Sequence, residues 1–322
     1  MTSITTGWKA RVTAAHRRIR DAVERTPVAL APDLAPGFVG TLHVKLEHLQ
    51  RTGSFKLRGA ANRIALLTPD EARAGVTTSS MGNHGLGVAF AARAAGVPAE
   101  VYVSDRVPEE RLEAIRAAGA AVRVAGSDPV EAELAARAAA RADGKVYISP
   151  YNDLNVVAGQ GTLALELADQ VPDLDAVFVA VGGGGLVGGV GAYLSERMPH
   201  VEVVGCWPAN APALHECMRR GRIVDVEERP TLSESTAGGI EPGSVTLDLA
   251  RRVVDRSVLV SEEEILSAMR RLRDVGGWTV EGAAGVALAA LIQQAESFAG
   301  RTVAVVLCGG NLSPGVRARL AG

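Results

Sequence analysis

Short β-branched runs alternate with alanine-rich amphipathic stretches along most of this chain, and that alternation constrains its fold more than any other feature. It is the pattern of parallel strands joined by crossover helices, so the fold class is α/β. Strands are expected at Thr41 to Leu46, Gly75 to Ser79, Ala99 to Val103, Ala121 to Val124, Val146 to Ile148, Ala176 to Val181, Glu202 to Cys206, Ser257 to Val260 and Thr302 to Leu307. Helices are expected at Lys9 to Ala22, Leu57 to Leu67, Asn83 to Ala95, Glu109 to Ala117, Pro129 to Ala142, Val157 to Gln170, Gly188 to Arg197, Ala211 to Arg219, Glu262 to Arg273 and Gly282 to Gln294. At 322 residues the chain exceeds what one hydrophobic core usually organises, which points to two lobes. From Gly75 to about Ile148 the strands are short and the βα repeats run to roughly 20 residues. A small domain over 75–152 is therefore expected, inserted into a large domain of 1–74 and 153–322, with a cleft between them. The irregular segment Ile223 to Thr246 is expected to run over the surface.

Several function classes drop out on charge and patterning. A net charge of −2 and a pI near 6.3 give no footprint for nucleic acid. The runs Arg17-Arg18, Arg219-Arg220-Gly221-Arg222 and Arg270-Arg271 sit among acids without stacking aromatics and read as solvated helix faces. Ala176 to Ser195 is uncharged and long enough for a membrane span, but seven of its residues are glycine, four of them consecutive. Glycine is a poor helix former, so a buried strand, a turn and the start of a helix are expected instead, and no membrane. Three cysteines, Cys206, Cys217 and Cys308, lack metal-type spacing and suit a reducing cytoplasm. Met1 to Val12 lack the apolar core of a signal peptide, so the mature protein is expected to begin near Met1. The last strand and its loop end close to Gly322, so no regulatory module is expected.

Chemistry concentrates in four short segments. Gly182-Gly183-Gly184-Gly185-Leu186 follows an apolar strand and leads into a helix, so backbone N–H groups and a helix N-terminus converge where a phosphate could sit. No Gly-Lys-Ser/Thr follows, and the spacing is not that of the dinucleotide fingerprint. Ser79-Ser80-Met81-Gly82-Asn83-His84-Gly85 lies between a strand and a helix and could bind a second anion such as a carboxylate, although Ser80, Asn83 and His84 could equally cap the helix. Cys308-Gly309-Gly310-Asn311 follows another apolar strand, where a buried cysteine most often only packs. Finally, Lys56 stands in Gly53-Ser54-Phe55-Lys56-Leu57-Arg58-Gly59, in a chain whose only lysines are Lys9, Lys45, Lys56 and Lys145. Desolvation pushes an ammonium toward its neutral, nucleophilic form, whereas arginine keeps its proton. Lys56 is therefore the candidate for covalent chemistry with a carbonyl, as in a Schiff base to pyridoxal phosphate, the alternative being a lysine that snorkels from an edge.

Taken together these segments resemble a known family. Thr26-Pro27, Leu46-Glu47-x-x-Gln50-x-Thr52-Gly53-Ser54-Phe55-Lys56-x-Arg58-Gly59-Ala60, Ser80-x-Gly82-Asn83-His84-Gly85, Ala158-Gly159-Gln160-Gly161-Thr162, the Gly182 to Gly185 tract and Cys308-Gly309-Gly310-Asn311 resemble the fold-type II pyridoxal-phosphate enzymes, which are tryptophan synthase β-like in fold. Within them the serine/threonine dehydratase and serine racemase family is the nearest likeness, from about residue 10 to the C-terminus. The resemblance implies that Lys56 holds pyridoxal 5'-phosphate and later takes the Cα proton of the substrate. It implies that Phe55 packs by the ring, that Asn83 bonds the ring hydroxyl, and that Gly182, Gly183, Gly184, Gly185 and Leu186 hold the phosphate. Ser80, Met81, Gly82, Asn83 and His84 would bind the substrate carboxylate, and Cys308 would face the pyridine nitrogen. A neutral thiol is a poor proton donor, so the ring nitrogen should stay largely unprotonated. Glu281 resembles an acid near the cofactor in relatives, and is also an ordinary acid at a helix N-terminus.

Departures from the family pattern refine the expectation. Racemases carry a second serine where this chain has Met81, and a thioether cannot shuttle a proton, so two-base racemisation is disfavoured. Their divalent-metal acids are replaced by Trp207-Pro208-Ala209-Asn210-Ala211-Pro212-Ala213, so no metal is expected there. The expected function is a lyase that eliminates the β-hydroxyl of L-serine, L-threonine or a related amino acid, giving a 2-oxo acid and ammonia. Ser235-Thr236-Ala237-Gly238-Gly239-Ile240-Glu241-Pro242-Gly243-Ser244 resembles the hydroxyectoine-utilisation dehydratase branch, which adds a larger hydroxylated substrate as an alternative. A racemase, a β-replacement synthase or a non-catalytic binding protein are the remaining readings, and a homodimer is what the relatives imply.

Overall fold

The computed structural model describes residues 6–105, 107 and 109–321, and the expectation about Met1 lies outside them. Its strands are β1 (Val28–Leu30), β2 (Thr41–Lys45), β3 (Val76–Ser79), β4 (Ala99–Val103), β5 (Ala121–Val124), β6 (Val146–Tyr147), β7 (Ala176–Ala180), β8 (Glu202–Pro208), β9 (Arg256–Val260) and β10 (Thr302–Val306). Its helices are α1 (Trp8–Ile19), α2 (Lys56–Ile64), α3 (Pro69–Ala74), α4 (Asn83–Ala94), α5 (Glu109–Ala118), α6 (Pro129–Asp143), α7 (Leu154–Gln170), α8 (Gly185–Arg197), α9 (Ala213–Arg220), α10 (Val245–Val253), α11 (Glu262–Asp274), α12 (Gly282–Gln293) and α13 (Pro314–Ala321). The strands form a six-stranded sheet, β1-β2-β10-β7-β8-β9, and a four-stranded sheet, β5-β4-β3-β6. Among the described strands only the β1–β2 pairing is antiparallel. Parallel neighbours require crossovers, and the helices supply them.

The local rules are visible in the elements. Every residue of β7 is buried, as a strand covered on both faces requires. Helices α7 and α8 cross so closely that a Cβ on Gly189 would lie 2.3 Å from the Val157 carbonyl oxygen, which explains small residues in helices they would otherwise weaken. Reciprocal capping by Ser261 and Glu264 starts α11, and Thr68 with Glu71 does the same for α3, each cap worth about 1 kcal/mol. Two apolar cores result. The larger is built on the six-stranded sheet and includes Val177, Phe178, Val204 and Val305. The smaller lies at the four-stranded sheet and also takes Ile19 from α1 and Leu57, Ala60 and Ile64 from α2. Helix α2, which begins with Lys56, thus belongs to the junction of the two sheets.

Several elements differ from expectation. Strand β1 and helices α3, α10 and α13 were not anticipated, and α8 begins at Gly185 because the helix runs on through the glycines as far as Gly191. The segment 223–246 is not simply a surface run: Leu232, Ser233, Ile240 and Thr246 are buried, because this stretch is folded inward under the ends of β7 and β8. Ala176 to Ser195 comprises β7, the glycine turn and most of α8. Among the described residues no helix is long and apolar enough to cross a membrane.

Candidate active site

In open parallel sheets, ligands bind beyond the carboxyl ends of the strands. Here β7 leads into Gly182 to Gly185, β10 into Cys308 and β3 into Ser80 to Gly82. The turn carrying Lys56 is sewn to the end of β10: Phe55 N donates to the Cys308 carbonyl (3.1 Å), Gly310 N donates to the Gly53 carbonyl (2.9 Å), and Ser54 bridges Gly309. One cavity results, lined among others by Phe55, Lys56, Asn83, Gly182 to Gly185, Leu186, Glu281 and Cys308. From residues 80–84 Asn83 lines it, and Met81 packs against the smaller core.

Lys56 is the first residue of α2, and its amine donates to the Pro150 carbonyl at 3.2 Å and lies 5.3 Å from the centre of the Phe55 ring. Burial lowers its pKa to about 8, against an opposing pull from Glu281. Cofactor capture by cofactor-free protein is therefore expected to accelerate with pH and level off above about 8, because only the neutral amine attacks a carbonyl. A stopped-flow absorbance series across that range reads it, and a midpoint at the ordinary lysine value of 10.5 would contradict the burial argument.

A polar cluster faces the amine. Asn83 Nδ2 donates to Glu281 Oε2 (2.8 Å), Ser235 Oγ donates to Glu281 Oε1 (3.1 Å), and the Cys308 thiol points at the same oxygen at 3.7 Å. Asn311 Nδ2 donates to Asn83 Oδ1 at 2.7 Å, which fixes the amide orientation and leaves one Asn83 N–H for a ligand. Glu281 occupies the N-cap of α12 but makes no capping bond, so its side chain serves this cluster and not the helix end. Burial raises its pKa and pushes the Cys308 thiol well up, so the thiol stays neutral. Asn83 likewise opens α4 without capping it. His84 is buried and donates Nε2–H to the Ile148 carbonyl (2.9 Å), and burial, followed by the nearby Lys56 charge, lowers its pKa to about 3.

Helix α8 starts at the glycine tract with no side-chain cap, so its N-terminal amides are available to an anion. Thr246 Oγ1 holds the tract by donating to the Gly183 carbonyl (2.7 Å). The protein itself fills the space that side chains on the tract would need. A Cβ on Gly182 would lie 2.9 Å from Thr236, one on Gly183 would lie 2.3 Å from Tyr151, and one on Gly184, at φ +83°, would lie 2.6 Å from Leu214. Tyr151, Ser235 and Thr236 also line the cavity and were not anticipated as site residues. For Tyr151 the available signal is an aromatic placed just past a strand end, in Ser149-Pro150-Tyr151.

Residues 19–309 match the sequence profile of the family described as pyridoxal-phosphate dependent enzyme. The chain belongs to that family. Over 298 residues, 92% of this chain and 74% of the relative, it is 39% identical to the L-threonine ammonia-lyase of Thermotoga maritima. Its structure matches the processed form of threonine deaminase isoform 2 from Solanum lycopersicum with a TM-score of 0.93 at 29% identity, covering 97% of this chain and 91% of that one. It matches serine racemase from Dictyostelium discoideum with a TM-score of 0.90 at 31% identity, covering 97% and 100%. This pyridoxal-phosphate enzyme therefore has the fold-type II architecture, and the uncapped glycine helix and the Lys56 amine of lowered pKa fit the phosphate and the aldehyde of its cofactor. Trp207 is wholly buried at the end of β8 with its ring 5.4 Å from that of His215. Among the described residues no group of three or more His, Cys, Asp or Glu could hold a metal ion.

Proposed function

We propose that this protein is an ammonia-lyase that removes the α-proton and the β-hydroxyl of L-threonine or L-serine and releases a 2-oxo acid and ammonia. The observation that carries the reading is the convergence of the Lys56 amine, the Glu281–Asn83–Cys308 cluster and the uncapped start of α8 on one cavity. Relatives named threonine ammonia-lyase support the substrate class. Lys56 would carry the cofactor, the glycine tract and Leu186 its phosphate, with Asn83 at its ring hydroxyl, Phe55 beside the ring and Cys308 opposite the ring nitrogen. When bound, the cofactor supplies an electron sink that makes the substrate Cα–H acidic.

The chain's own groups do the rest. Lys56 Nζ, freed when the substrate amine takes its place, accepts the Cα proton. The β C–O bond then breaks, and the hydroxyl takes the proton held on Lys56 and leaves as water, which returns the amine to its neutral form. The enamine that remains is hydrolysed to the 2-oxo acid and ammonia, regaining the water lost before. A neutral Cys308, with its S–H turned to Glu281, would offer no strong acid to a ring nitrogen placed opposite it. The loop Ser80 to His84 would receive the substrate carboxylate. Met81 offers no proton to the far face, so elimination should outrun racemisation.

The same reading assigns residues 1–74 and 153–322 to a cofactor-holding lobe and 75–152 to the lobe that faces it. It includes a homodimer, supported by the exposed apolar Leu30, Val39 and Leu49, and a cytoplasmic setting, supported by three free, buried cysteines. A panel of L-serine, L-threonine, hydroxyaspartate and hydroxylated diaminobutyrate derivatives, scored for 2-oxo acid and ammonia, tests it. The reading requires L-threonine or L-serine to be turned over. Conversion of L-serine to its enantiomer faster than to a 2-oxo acid would show that Met81 does not limit the reaction to one face.

A further inference from the structure

Two residues beyond Lys56, Arg58 stands on the far side of α2, since successive helical residues are turned by about 100°. Its guanidinium meets two carboxylates from other parts of the fold. Nε and Nη2 donate to Glu47, at 2.8 Å each, while Nη1 and Nη2 donate to Glu166 on α7, at 2.7 and 2.9 Å. Thr162 Oγ1 and the Glu24 carbonyl accept two more bonds at 3.2 Å. Lys45, at the end of β2, completes a neutral quartet by donating to Glu166 (2.7 Å), the Thr26 carbonyl (2.8 Å) and Gln170 (2.9 Å). No side chain of the four is more than 1% exposed.

Buried charges are a costly means of holding a helix. Their desolvation cancels much of their attraction, and apolar side chains of equal volume often hold packed elements as firmly. Apolar packing lacks direction, whereas a planar fork that must satisfy two fixed carboxylates tolerates neither roll nor slide of its helix. Helix α2 is in need of such a constraint, because Lys56 is its first residue and its N-cap, Phe55, makes no side-chain capping bond.

We infer that Arg58 is a positioning residue, which fixes the roll and advance of α2 against β2 and α7 and so sets where the Lys56 amine stands over the cavity. This rests on Lys56 being the reactive amine and not on which substrate is used. The quartet is neutral, so it acts on Lys56 through the helix and not as a net field.

The test compares Arg58→Lys with the double substitution Arg58→Met and Glu166→Gln, both in the full-length protein. The double variant removes one cation and one anion, and Glu47 keeps the neighbouring charge of Lys45. Reactivity of Lys56 is read on cofactor-free protein by trace acetylation with acetic anhydride and mass spectrometry, with the exposed Lys9 as internal standard. Thermal unfolding, kcat and KM of the loaded protein are read alongside. Both variants are expected to fold, with Lys56 labelling changed at least about tenfold relative to Lys9, and kcat lowered by about 100-fold at a KM within about threefold. Labelling and kcat like those of the unchanged protein in the double variant would overturn the inference. So would full restoration by Arg58→Lys, which would make charge alone sufficient. A double variant that unfolds also counts against it, because the quartet would then serve stability. An unreactive Lys56 in the unchanged protein would remove this inference together with the reading of Lys56, whereas failure of the substrate assays alone would leave the labelling result standing.

Discussion

Lys56→Ala is expected to lower turnover of L-threonine by about 10⁴-fold, the upper end of what one positioned proton acceptor contributes. Two functions would disappear with one side chain, because the amine proposed to hold the cofactor is also the group proposed to take the Cα proton. Its neighbours cannot replace it. His84 donates Nε2–H to Ile148, Glu281 is engaged by Asn83 and Ser235, and the Cys308 thiol is held neutral. Lys56→Arg should be as inactive, since guanidinium keeps its charge but neither attacks a carbonyl nor releases a proton near neutral pH. Release of 2-oxo acid measures the loss, and borohydride treatment followed by peptide mass mapping should place the cofactor on Lys56 in the unchanged protein only. A Lys56→Ala protein that retains a tenth of the activity, as an order of magnitude, would assign the proton transfer elsewhere.

Gly183→Val is expected to weaken binding of pyridoxal phosphate by about 100-fold with a smaller loss of stability, on the order of 1–3 kcal/mol for an overpacked site. The new Cβ would start 2.3 Å from Tyr151 Cδ1, far inside van der Waals contact. The ring cannot simply swing aside, because its hydroxyl accepts the Glu241 amide (3.1 Å) and its Cβ already crowds Gly185. The tract must move instead, and with it the start of α8 and its free amides. Absorbance titration with the cofactor gives the affinity. Combining Gly183→Ala with Tyr151→Ala should recover part of it, since the obstacle is then removed from both sides. Undiminished affinity in Gly183→Val would mean that the phosphate sits elsewhere.

Sequence periodicity reached the main elements because their physics is local. The all-apolar β7, the Ser261–Glu264 cap of α11 and the alanine stripe of α6 declare themselves within a few residues. Strand β1 did not, since three residues ending in the exposed Leu30 carry no period and exist only by pairing with β2. The site divides along the same line. Lys56, Asn83, the glycine tract and Cys308 follow strands or open helices, where strand–loop–helix logic and a family likeness both point. Tyr151, Ser235 and Thr236 come from loops whose inward course is set by tertiary contacts, such as Tyr151 with the Glu241 amide, and no local rule predicts that course. Glu281 is instructive because in sequence it is also an ordinary acid at a helix N-terminus, while its side chain makes no cap and is turned to Asn83 and Cys308.

Strand β10 lies between β2 and β7 in the larger sheet, so the strand completed last in the chain separates two that emerge much earlier. On the ribosome, β2 and β7 therefore have no common neighbour until residues 302–306 are free to insert, and long-range parallel pairing of this kind is slow. The Phe55 amide finds the Cys308 carbonyl only after that insertion. A nascent chain can thus build much of its smaller core early, but it cannot hold pyridoxal phosphate in a finished site. Premature reaction of the aldehyde with Lys56 would be denied the cleft that β10 brings together, and cofactor loading would report that this strand is in place.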